Sequence, residues 1–495
     1  MENIEKLLKK FREISYLNSA LSLLQWDQRT YLPPDSGSDR SEVIGYLSSE
    51  YQRKSTSNEI EEIMDKIDQG ELNQADKRIY SLIFRNYKKL KNIPPELYLK
   101  YTKAISRAQF YWLKAKKEEN YEIFKPYLKD NIELSKEIAA ANGYIENPYD
   151  YFLDTYDYGI TERKIENLIS TFKDELIDLT KRIFASRQVD DSFLYDNYST
   201  ESQKKLCKHI LEKFTFDFNN GRYDESEHPF TISITRDDVR ITTKFNPNNF
   251  TSSLYGTIHE CGHALYEMNI DKNYKWTPIS QGASFSIHES QSRLLENLIG
   301  KSFPFIKYLF DKTKNYFENM QQIKLMDFYK AINAVKKQPI RIEADEVTYN
   351  LHIFIRFELE SALLKNNINL DDLPKMWNEK MNKYLNIVPK NYSEGILQDI
   401  HWAGGKFGYF PSYMLGNLIS SQFFQKLLSE KKNAFETVST GNFEEVIDWL
   451  KNNVYKHGAL YDTEELIKKV TGHTLSSESF MNYLNIKYSE IYDIS

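Results

Sequence analysis

Alternation of apolar and polar residues, the pattern of a half-buried strand, is clearest in one segment of this chain, residues 230–245, FTISITRDDVRITTKF. The alternating positions form two runs: Phe230, Ile232, Ile234 and then Val239, Ile241, Thr243. The polar residues 236–238 separate the runs, so the segment predicts a β-hairpin. Because no other segment gives so clear a strand signal, we expect one small sheet in a chain that otherwise folds into helices.

The remainder of the sequence has few residues that interrupt helices. Among 495 residues there are only 18 glycines and 14 prolines. Residues 1–200 are predicted to form long charged helices, which end near YLPPDSGSD, NIPPEL and ENPYDYF. No repeat or shift in composition marks a boundary. We therefore predict a mainly α protein with one domain over residues 1–495, lobed around a cleft. The domain has an N-terminal helical part (about 1–200) and a second part (201–495).

Charge and hydropathy argue against several classes of partner. The net charge of −6 gives no indication of nucleic acid or of an anionic membrane. No run of 18 apolar residues is present, and the charged N-terminal segment MENIEKLLKKFREISYLNSALSLLQW lacks the apolar core of a signal peptide. Its acidic residues also argue against a transit peptide. The only cysteines, Cys207 and Cys261, provide no disulfide framework, so we expect a cytoplasmic protein.

The stretch after the predicted hairpin carries the pattern H-E-x-x-H, with His259, Glu260 and His263 at its fixed positions. Residues four apart lie on one face of a helix, so both imidazoles can bind one Zn²⁺, and Glu260 can take a proton from its water. An apolar stripe supports the helix: Leu254, Ile258, Cys261, Leu265, Met268. The alternative is a pair of boundary histidines that only bond their neighbours, a pattern that chance rarely produces in this composition.

A catalytic zinc site needs a third protein ligand and one open position. The next predicted helix lies in SFSIHESQSRLLENLIG, with Ser284 or Ser286 as its cap. Glu289 on this helix is the first candidate for the third ligand, and His288 and Glu296 are the alternatives.

Several motifs, in one order along the chain, resemble the thermostable carboxypeptidase family, peptidase family M32. They are LLQWDQRTYLPPDSGSDR, HPFTISITRDDVRITTKF, HECGHALYE, HESQSRLLEN, IRIEADEVTYNLHI, GILQDIHWAGGKFGYFPSYMLGN and LIKKVTGHTLSSESFMNYLNIKY. The resemblance covers almost the whole chain. Departures are small: Lys244 stands where the family has arginine, and the KSFPF segment lacks a tryptophan that the family carries there.

The resemblance implies a large helical metallopeptidase with a deep cleft and a small sheet beside the zinc site, similar in fold to the neurolysin-like and angiotensin-converting enzymes. It implies a homodimer that removes single residues from peptides with a free C-terminus, with broad preference. The implied metal ligands are His259, His263 and Glu289, and Glu260 is the implied general base. Zn²⁺ is the expected metal, with Co²⁺ as a possible substitute.

A carboxypeptidase must also recognise the terminal carboxylate, which an arginine fork can bind through two nitrogen atoms. Arg341, in PIRIEAD, is the first candidate, and Arg240 in the hairpin is the second. For Arg341 the plain alternative is a salt bridge to Glu343, Asp345 or another helix carboxylate. Arg240 could instead bind the substrate backbone or form only a structural ion pair. Asp399 and Gln398 are expected to support the site residues.

The segment QDIHWAGGKFGYFPSY combines hydrogen-bond donors with three glycines, Gly404, Gly405 and Gly408, which indicate a loop that approaches another group closely. His401 and Tyr409 are predicted to polarise the scissile carbonyl or to hold the terminal carboxylate, and Tyr413 is a weaker candidate. His228, at the start of the hairpin, is a further candidate for substrate binding.

Two other activities fit the same residues. A zinc oligopeptidase or dipeptidyl carboxypeptidase would use the same metal site with a carboxylate anchor at a different distance. A helical binding protein that has lost activity is the third possibility, which the intact set of His259, Glu260, His263 and Glu289 argues against.

Overall fold

The computed structural model describes residues 2–494. Helix accounts for 67% of the chain and strand for 3%, which confirms the mainly α prediction. The described residues divide into two compact units, each assembled from three separate stretches of sequence. The assignment of one domain to residues 1–495 stays a prediction.

Unit 1 comprises the chain up to Lys91, Asp190–Ile332 and Ser420–Thr474. Its helices are α1 (Glu2–Thr30), α2 (Gly37–Ser55), α3 (Asn58–Met64), α4 (Gln74–Lys91), α10 (Thr200–Lys213), α11 (Phe250–Met268), α12 (Phe285–Arg293), α13 (Phe303–Tyr316), α14 (Leu325–Ile332), α18 (Ala434–Val438), α19 (Glu444–Asn453) and α20 (Thr463–Thr471). A π-helical turn, Leu294–Ile299, continues α12.

Unit 2 comprises Asn92–Val189, Asn333–Ile419 and the chain from Leu475. Its helices are α5 (Pro95–Lys117), α6 (Tyr121–Ala141), α7 (Pro148–Tyr156), α8 (Glu162–Ser170), α9 (Lys173–Ala185), α15 (Tyr349–Leu364), α16 (Leu373–Leu385) and α21 (Glu478–Tyr492). Helix α17 (Phe410–Glu430) contributes residues to both units.

The single sheet lies in unit 1 and has three strands, β1 (Gly221–Glu225), β2 (Thr231–Thr235) and β3 (Asp238–Thr243). Strands β2 and β3 form the predicted antiparallel hairpin, although the turn is shorter than expected because Asp238 already pairs with Thr235. Strand β1 was not predicted, and it pairs with β3 in parallel. The strand order β1-β3-β2 leaves β2 at an edge.

Local capping sets the start of the two helices that follow the sheet. The Asn249 side chain accepts hydrogen bonds from the backbone N–H groups of Thr251 and Ser252, so α11 begins at Phe250. The Ser284 side chain accepts from the N–H of Ile287 and caps α12, one of the two caps that the sequence offered.

Helices α11 and α12 pack very closely at Gly262. A Cβ atom added there would lie 2.5 Å from Ser292 Cα and 2.6 Å from the Gln291 carbonyl oxygen. Only glycine fits this position without moving one of the helices. The close packing brings the histidine face of α11 next to the polar face of α12.

Both cysteines, Cys207 and Cys261, are buried and free. Within residues 2–494, no helix combines the length and the apolar character that crossing a membrane requires.

Candidate functional site

The structure brings His259, His263 and Glu289 together in unit 1, with one ligand atom from each within 4.8 Å of the others. Glu289 Oε2 lies 3.8 Å from His259 Nε2 and 3.5 Å from His263 Nε2. The two histidines come from adjacent turns of α11, and the carboxylate comes from α12. The sequence predicted these three residues as the metal ligands, and in the structure their ligand atoms lie close enough together to bind one metal ion.

The donor set fits a tetrahedral transition metal. Ligand atoms about 2.0–2.1 Å from a tetrahedral Zn²⁺ are separated from one another by roughly 3.3 Å, and the two distances from Glu289 Oε2 to the histidines are 0.2–0.5 Å longer. Burial lowers the pKa of His263 to about 3, so its imidazole is neutral, as a ligand must be. Burial alone would raise the pKa of Glu289, but Arg293 and His259 hold it well below its usual range. Two nitrogens and one carboxylate suit zinc better than a hard cation such as magnesium.

Glu260 lies beside this cluster, and strand β2 fixes its orientation. The Thr231 hydroxyl donates a hydrogen bond to Glu260 Oε2 over 2.6 Å. The same hydroxyl lies 3.0 Å from the Glu260 carbonyl oxygen. Glu260 is 7% exposed, and burial raises its pKa, which makes the carboxylate a stronger base than an exposed glutamate.

Glu296, an alternative for the third ligand, supports His259 instead. Its Oε2 atom lies 2.9 Å from His259 Nδ1, on the side of the ring away from the metal-facing nitrogen. Arg293 bridges the two glutamates, donating from Nε to Glu289 Oε1 over 2.7 Å and from Nη1 to Glu296 Oε2 over 3.2 Å. Because Glu296 lies in the π-helical turn, this irregular segment helps to orient a candidate metal ligand.

His288, the other alternative, lies against the second histidine. Its Nδ1 atom is 2.6 Å from His263 Nδ1, and its Nε2 atom is 2.9 Å from Glu267 Oε1. His259 therefore has a carboxylate partner, whereas His263 has an imidazole partner that a carboxylate holds in turn.

The two substrate-binding candidates of the sheet also lie in unit 1. Arg240 forms a two-pronged pair with Asp238, with both nitrogen–oxygen distances at 2.8 Å, and it stacks over Trp26 at 4.3 Å from the ring centroid. His228 is exposed, and its carbonyl accepts a hydrogen bond from Ser226.

Arg341 lies in unit 2 within a buried charge cluster and is 4% exposed. Its Nε and Nη2 atoms donate to Asp399 Oδ1 over 3.1 and 2.8 Å, and its Nη1 atom donates to the Tyr349 hydroxyl over 2.7 Å. Arg356, which the sequence did not single out, binds the second carboxylate oxygen of Asp399. Gln398 Oε1 accepts from the Arg341 backbone N–H.

His401, Tyr409 and Tyr413 lie together in unit 2. The His401 ring centroid is 5.3 Å from that of Tyr409 and 6.3 Å from that of Tyr413. Burial lowers the pKa of His401 to about 3, so the ring is a neutral hydrogen-bonding group at neutral pH. Within the described residues its Nδ1 atom has no hydrogen-bond partner and is 3.9 Å from Asp399 Oδ1.

A buried carboxylate, Glu360, holds the loop that carries His401 and Tyr409. It accepts hydrogen bonds from Trp402 Nε1 (2.7 Å), the Tyr149 hydroxyl (2.8 Å) and the Gly408 backbone N–H (3.0 Å). Gly408 has a φ of +76°, and a Cβ atom there would lie 2.8 Å from the Phe152 carbonyl carbon. The glycine was predicted to allow a close approach, and its neighbour is helix α7.

Sequence reasoning named Glu296 and His288 only as alternative ligands, and it missed Arg293, Glu267 and Thr231, of which the first two left a signal. Arg293 follows Glu289 by four positions, and Glu267 follows His263 by four, so each pair shares a helix face. Thr231 left no such signal, because its contact with Glu260 depends on how β2 packs against α11.

Comparisons with known proteins place nearly the whole chain in one family. A family model described as carboxypeptidase Taq (M32) metallopeptidase matches residues 6–488. Carboxypeptidase 1 of Bacillus subtilis (strain 168) is 39% identical over 488 residues, covering 97% of both chains. Thermostable carboxypeptidase 1 of Pyrococcus furiosus is 35% identical over 491 residues, covering 98% of both.

Solved structures give the same result. The M32 carboxypeptidase from Deinococcus radiodurans R1 matches with a TM-score of 0.96 at 30% identity and covers 100% of both chains. A Pyrococcus furiosus carboxypeptidase structure, described as apo-Mg, matches with a TM-score of 0.96 at 35% identity over 99% of both.

Proposed function

Because the chain belongs to the carboxypeptidase Taq (M32) family of metallopeptidases, we propose that it removes single amino acids from the free C-terminus of peptides, with broad preference. The observation that carries the proposal is the convergence of His259, His263 and Glu289 beside a buried Glu260 whose orientation Thr231 fixes. His259, His263 and Glu289 would hold the metal.

When bound, Zn²⁺ supplies Lewis acidity to the water and the carbonyl that react. Glu260 acts as the general base. Its Oε2 atom is held by the Thr231 hydroxyl, so Oε1 takes the proton from water and later delivers it to the leaving amine. The raised pKa of Glu260, caused by burial, favours the uptake of the proton from water.

We also propose substrate contacts for the candidates in unit 2. His401 is neutral, so it acts as a hydrogen-bond donor toward the scissile carbonyl or the terminal carboxylate, together with Tyr409 and, more weakly, Tyr413. Arg341 stays the first choice as carboxylate anchor. Since its guanidinium already holds Asp399, a substrate carboxylate would have to share or replace that partner.

Arg240 stays the second choice as anchor, and it also holds a carboxylate already, that of Asp238. His228 stays a candidate for contacting the substrate near the hairpin. Its exposure leaves the side chain open to a ligand.

The finer assignments are proposals of the same kind. Zinc is proposed because two imidazoles and one carboxylate form a common zinc ligand set, and Co²⁺ can replace it. A homodimer is proposed from the family resemblance. A cytoplasmic location is proposed because Cys207 and Cys261 are free, as expected in a reducing compartment.

The test uses an N-blocked peptide as the free acid and as the C-terminal amide, with and without a chelator, and mass spectrometry follows the products. We expect stepwise loss of single residues from the free acid only, abolished by the chelator and restored by zinc or cobalt. Release of dipeptides, or equal cleavage of both peptides at internal bonds, would overturn the proposal.

Glu260→Gln tests the general base, with the exposed Glu42→Gln as the matched control. Removing the base should lower kcat by about 10²- to 10⁴-fold, with unchanged metal content, whereas the control should retain full activity. An active Glu260→Gln variant would exclude the assigned role.

A further inference from the structure

A cavity of about 480 Å³ adjoins strand β2 within unit 1. Residues of β2 and α1 line its sides, and Glu267 and His288 also border it. The volume lies within the range of natural ligand sites. None of the residues assigned above to the substrate lines this cavity.

The β2 edge offers unpaired backbone groups to this cavity. Phe230 and Ile232 direct their backbone groups toward β3, as the bond from Thr242 N–H to the Phe230 carbonyl shows. In an antiparallel pair the alternate residues, Thr231 and Ser233, therefore face away from β3. Within residues 2–494, no other group bonds these outward N–H and C=O groups.

Helix α1 limits the length of this open edge. The Ser19 hydroxyl donates to the Ile234 carbonyl over 2.8 Å, which closes the edge one residue after Ser233. The opposite end of the open edge is Thr231, whose side chain contacts Glu260. The unpaired groups therefore start at the catalytic base and lead away from it.

The length of the open edge decides which part of a peptide it can hold. An enzyme that removes one residue has a single residue on the leaving side of the scissile bond, and the rest of the substrate lies on the acyl side. The open edge from Thr231 to Ser233 spans about 10 Å at roughly 3.3 Å per residue, which is too long for one residue. The acyl side is the part that fits.

We propose that this cavity is the binding site for the three or four substrate residues that precede the scissile bond, held extended along β2. This inference rests on the proposed function. Two substrate residues, two positions apart, exchange backbone hydrogen bonds with Thr231 and Ser233, and the residues beside them turn their backbones away. Recognition through the backbone is compatible with broad preference for side chains.

The first test is a series of N-blocked peptides with one to five acyl residues and the same C-terminal residue. The ratio kcat/KM should rise at least tenfold up to three or four acyl residues and then level off. N-methylation of a single acyl residue should lower kcat/KM about 5- to 10-fold at alternate positions and have little effect between them.

A kcat/KM that is constant from one acyl residue onward, or equal sensitivity to N-methylation at every position, would overturn the inference. If no peptide in the series loses its C-terminal residue, the proposed function itself fails.

Ser233→Pro tests the edge directly, because it removes the outward N–H and proline is tolerated at such a strand position. Ser233→Ala, which lacks the hydroxyl but keeps the N–H, is the reference. We expect the proline variant to lower the ratio of long-peptide to short-peptide kcat/KM about fivefold relative to the reference. An unchanged ratio would contradict the inference.

A separate observation concerns the chain of groups behind His263. His263 Nδ1 lies 2.6 Å from His288 Nδ1, and His288 Nε2 lies 2.9 Å from Glu267 Oε1. Glu267 Oε1 also accepts the Gly282 backbone N–H over 3.0 Å. A Cβ atom on Gly282 would lie 2.6 Å from His288 Cδ2, so the chain passes very close to the ring here.

Only one arrangement of protons satisfies these contacts when His263 binds metal through Nε2. The His263 proton must lie on Nδ1 and be donated to His288 Nδ1. His288 must then carry its own proton on Nε2 and donate it to Glu267 Oε1. We infer that His288 and Glu267 are positioning residues that fix the tautomer and the ring plane of His263 and thereby set the affinity for metal.

The measurement is the dissociation constant for zinc, by competition with a chromophoric chelator, and the absorption spectrum of the cobalt-loaded protein. His288→Ala and Glu267→Ala should each weaken zinc binding by about 10- to 100-fold and shift the cobalt spectrum. Glu267→Gln, which keeps one acceptor oxygen, should lose less. The exposed His473→Ala is the control.

Unchanged zinc affinity and spectrum in the His288 and Glu267 variants would exclude the positioning role. If an alanine variant fails to fold, the zinc affinity of Glu267→Gln decides the question. An affinity equal to that of His473→Ala would exclude the positioning role.

Discussion

Arg341 and Arg240 should differ in how much each contributes to the free energy of unfolding, and this difference can be measured. Arg341 is buried and binds both Asp399 and Tyr349, whereas Arg240 pairs with an Asp238 side chain that is 35% exposed. Arg341→Ala should lower the free energy of unfolding by about 3 kcal/mol because it leaves a buried charge poorly paired. Arg240→Ala should cost about 1 kcal/mol or less.

Chemical unfolding of both variants checks this prediction, and KM for a free-acid peptide measured on the folded proteins then separates anchoring from support. Equal losses of stability would contradict the difference in burial on which the prediction depends.

At the level of residues, the sequence predicted only those relations that follow from the spacing of residues along one helix. His259 and His263 are four positions apart on one helix, so their common direction follows from the pattern alone. The contact between His263 and His288 depends on how two helices pack, and no spacing reveals it. The same holds for Arg356, whose partner Asp399 lies in a distant loop.

At the scale of elements, Gly262 sets the separation of α11 and α12. An alanine there would place its Cβ 2.5 Å from Ser292 Cα, so the helices must move apart. We expect Gly262→Ala to lower the free energy of unfolding by about 1–3 kcal/mol and to weaken zinc binding, because Glu289 moves with α12.

Gly256→Ala on the same helix is the matched control. Its Cβ would meet Thr243 Oγ1 at 3.6 Å, an ordinary contact, and alanine favours helix over glycine by up to about 1 kcal/mol. Thermal unfolding and zinc titration of both variants provide the comparison. Equal behaviour of the two variants would show that close packing at Gly262 is not required.

The hairpin was predictable because apolar alternation is a local property, whereas β1 was not. Its sequence, GRYDE, is mostly polar, and its parallel pairing with β3 joins segments that are separated by another strand. The π-helical turn is equally hidden, since Leu294–Ile299 has the spacing of an ordinary buried helix.

At the scale of the whole molecule, Glu360 should make stability depend on pH. In the unfolded chain a glutamate ionises near pH 4.3, whereas burial raises the pKa of Glu360 to about 7 in the folded protein. Between these values the folded state keeps a proton that the unfolded state has lost. Its contribution to stability therefore falls as pH rises through this window, by about 1.4 kcal/mol per pH unit.

The measurement is the free energy of unfolding at pH 5, 6 and 7 for the parent and for Glu360→Gln, which has no ionisable group there. The difference, parent minus variant, should decrease with rising pH and level off above pH 7. A constant difference would show that Glu360 ionises normally in the folded protein.

The division into two units was not predictable from composition. Each unit interleaves three stretches of the chain. Two prolines, Pro94 and Pro95, follow the boundary after Lys91, but a similar pair, Pro33 and Pro34, lies within unit 1, so such pairs do not mark a boundary. A helical chain of even composition carries no local record of which distant helices share a core.

The burial of Cys261 has a practical consequence for how the protein tolerates reagents. A thiol inside a metal-binding motif would normally compete for the ion and invite alkylation, but Cys261 is fully buried, and burial raises its pKa well above the usual range. Mercurials and haloacetamides should therefore leave the folded enzyme unmodified at this thiol. Cobalt loading should also give no thiolate charge-transfer band in the near ultraviolet.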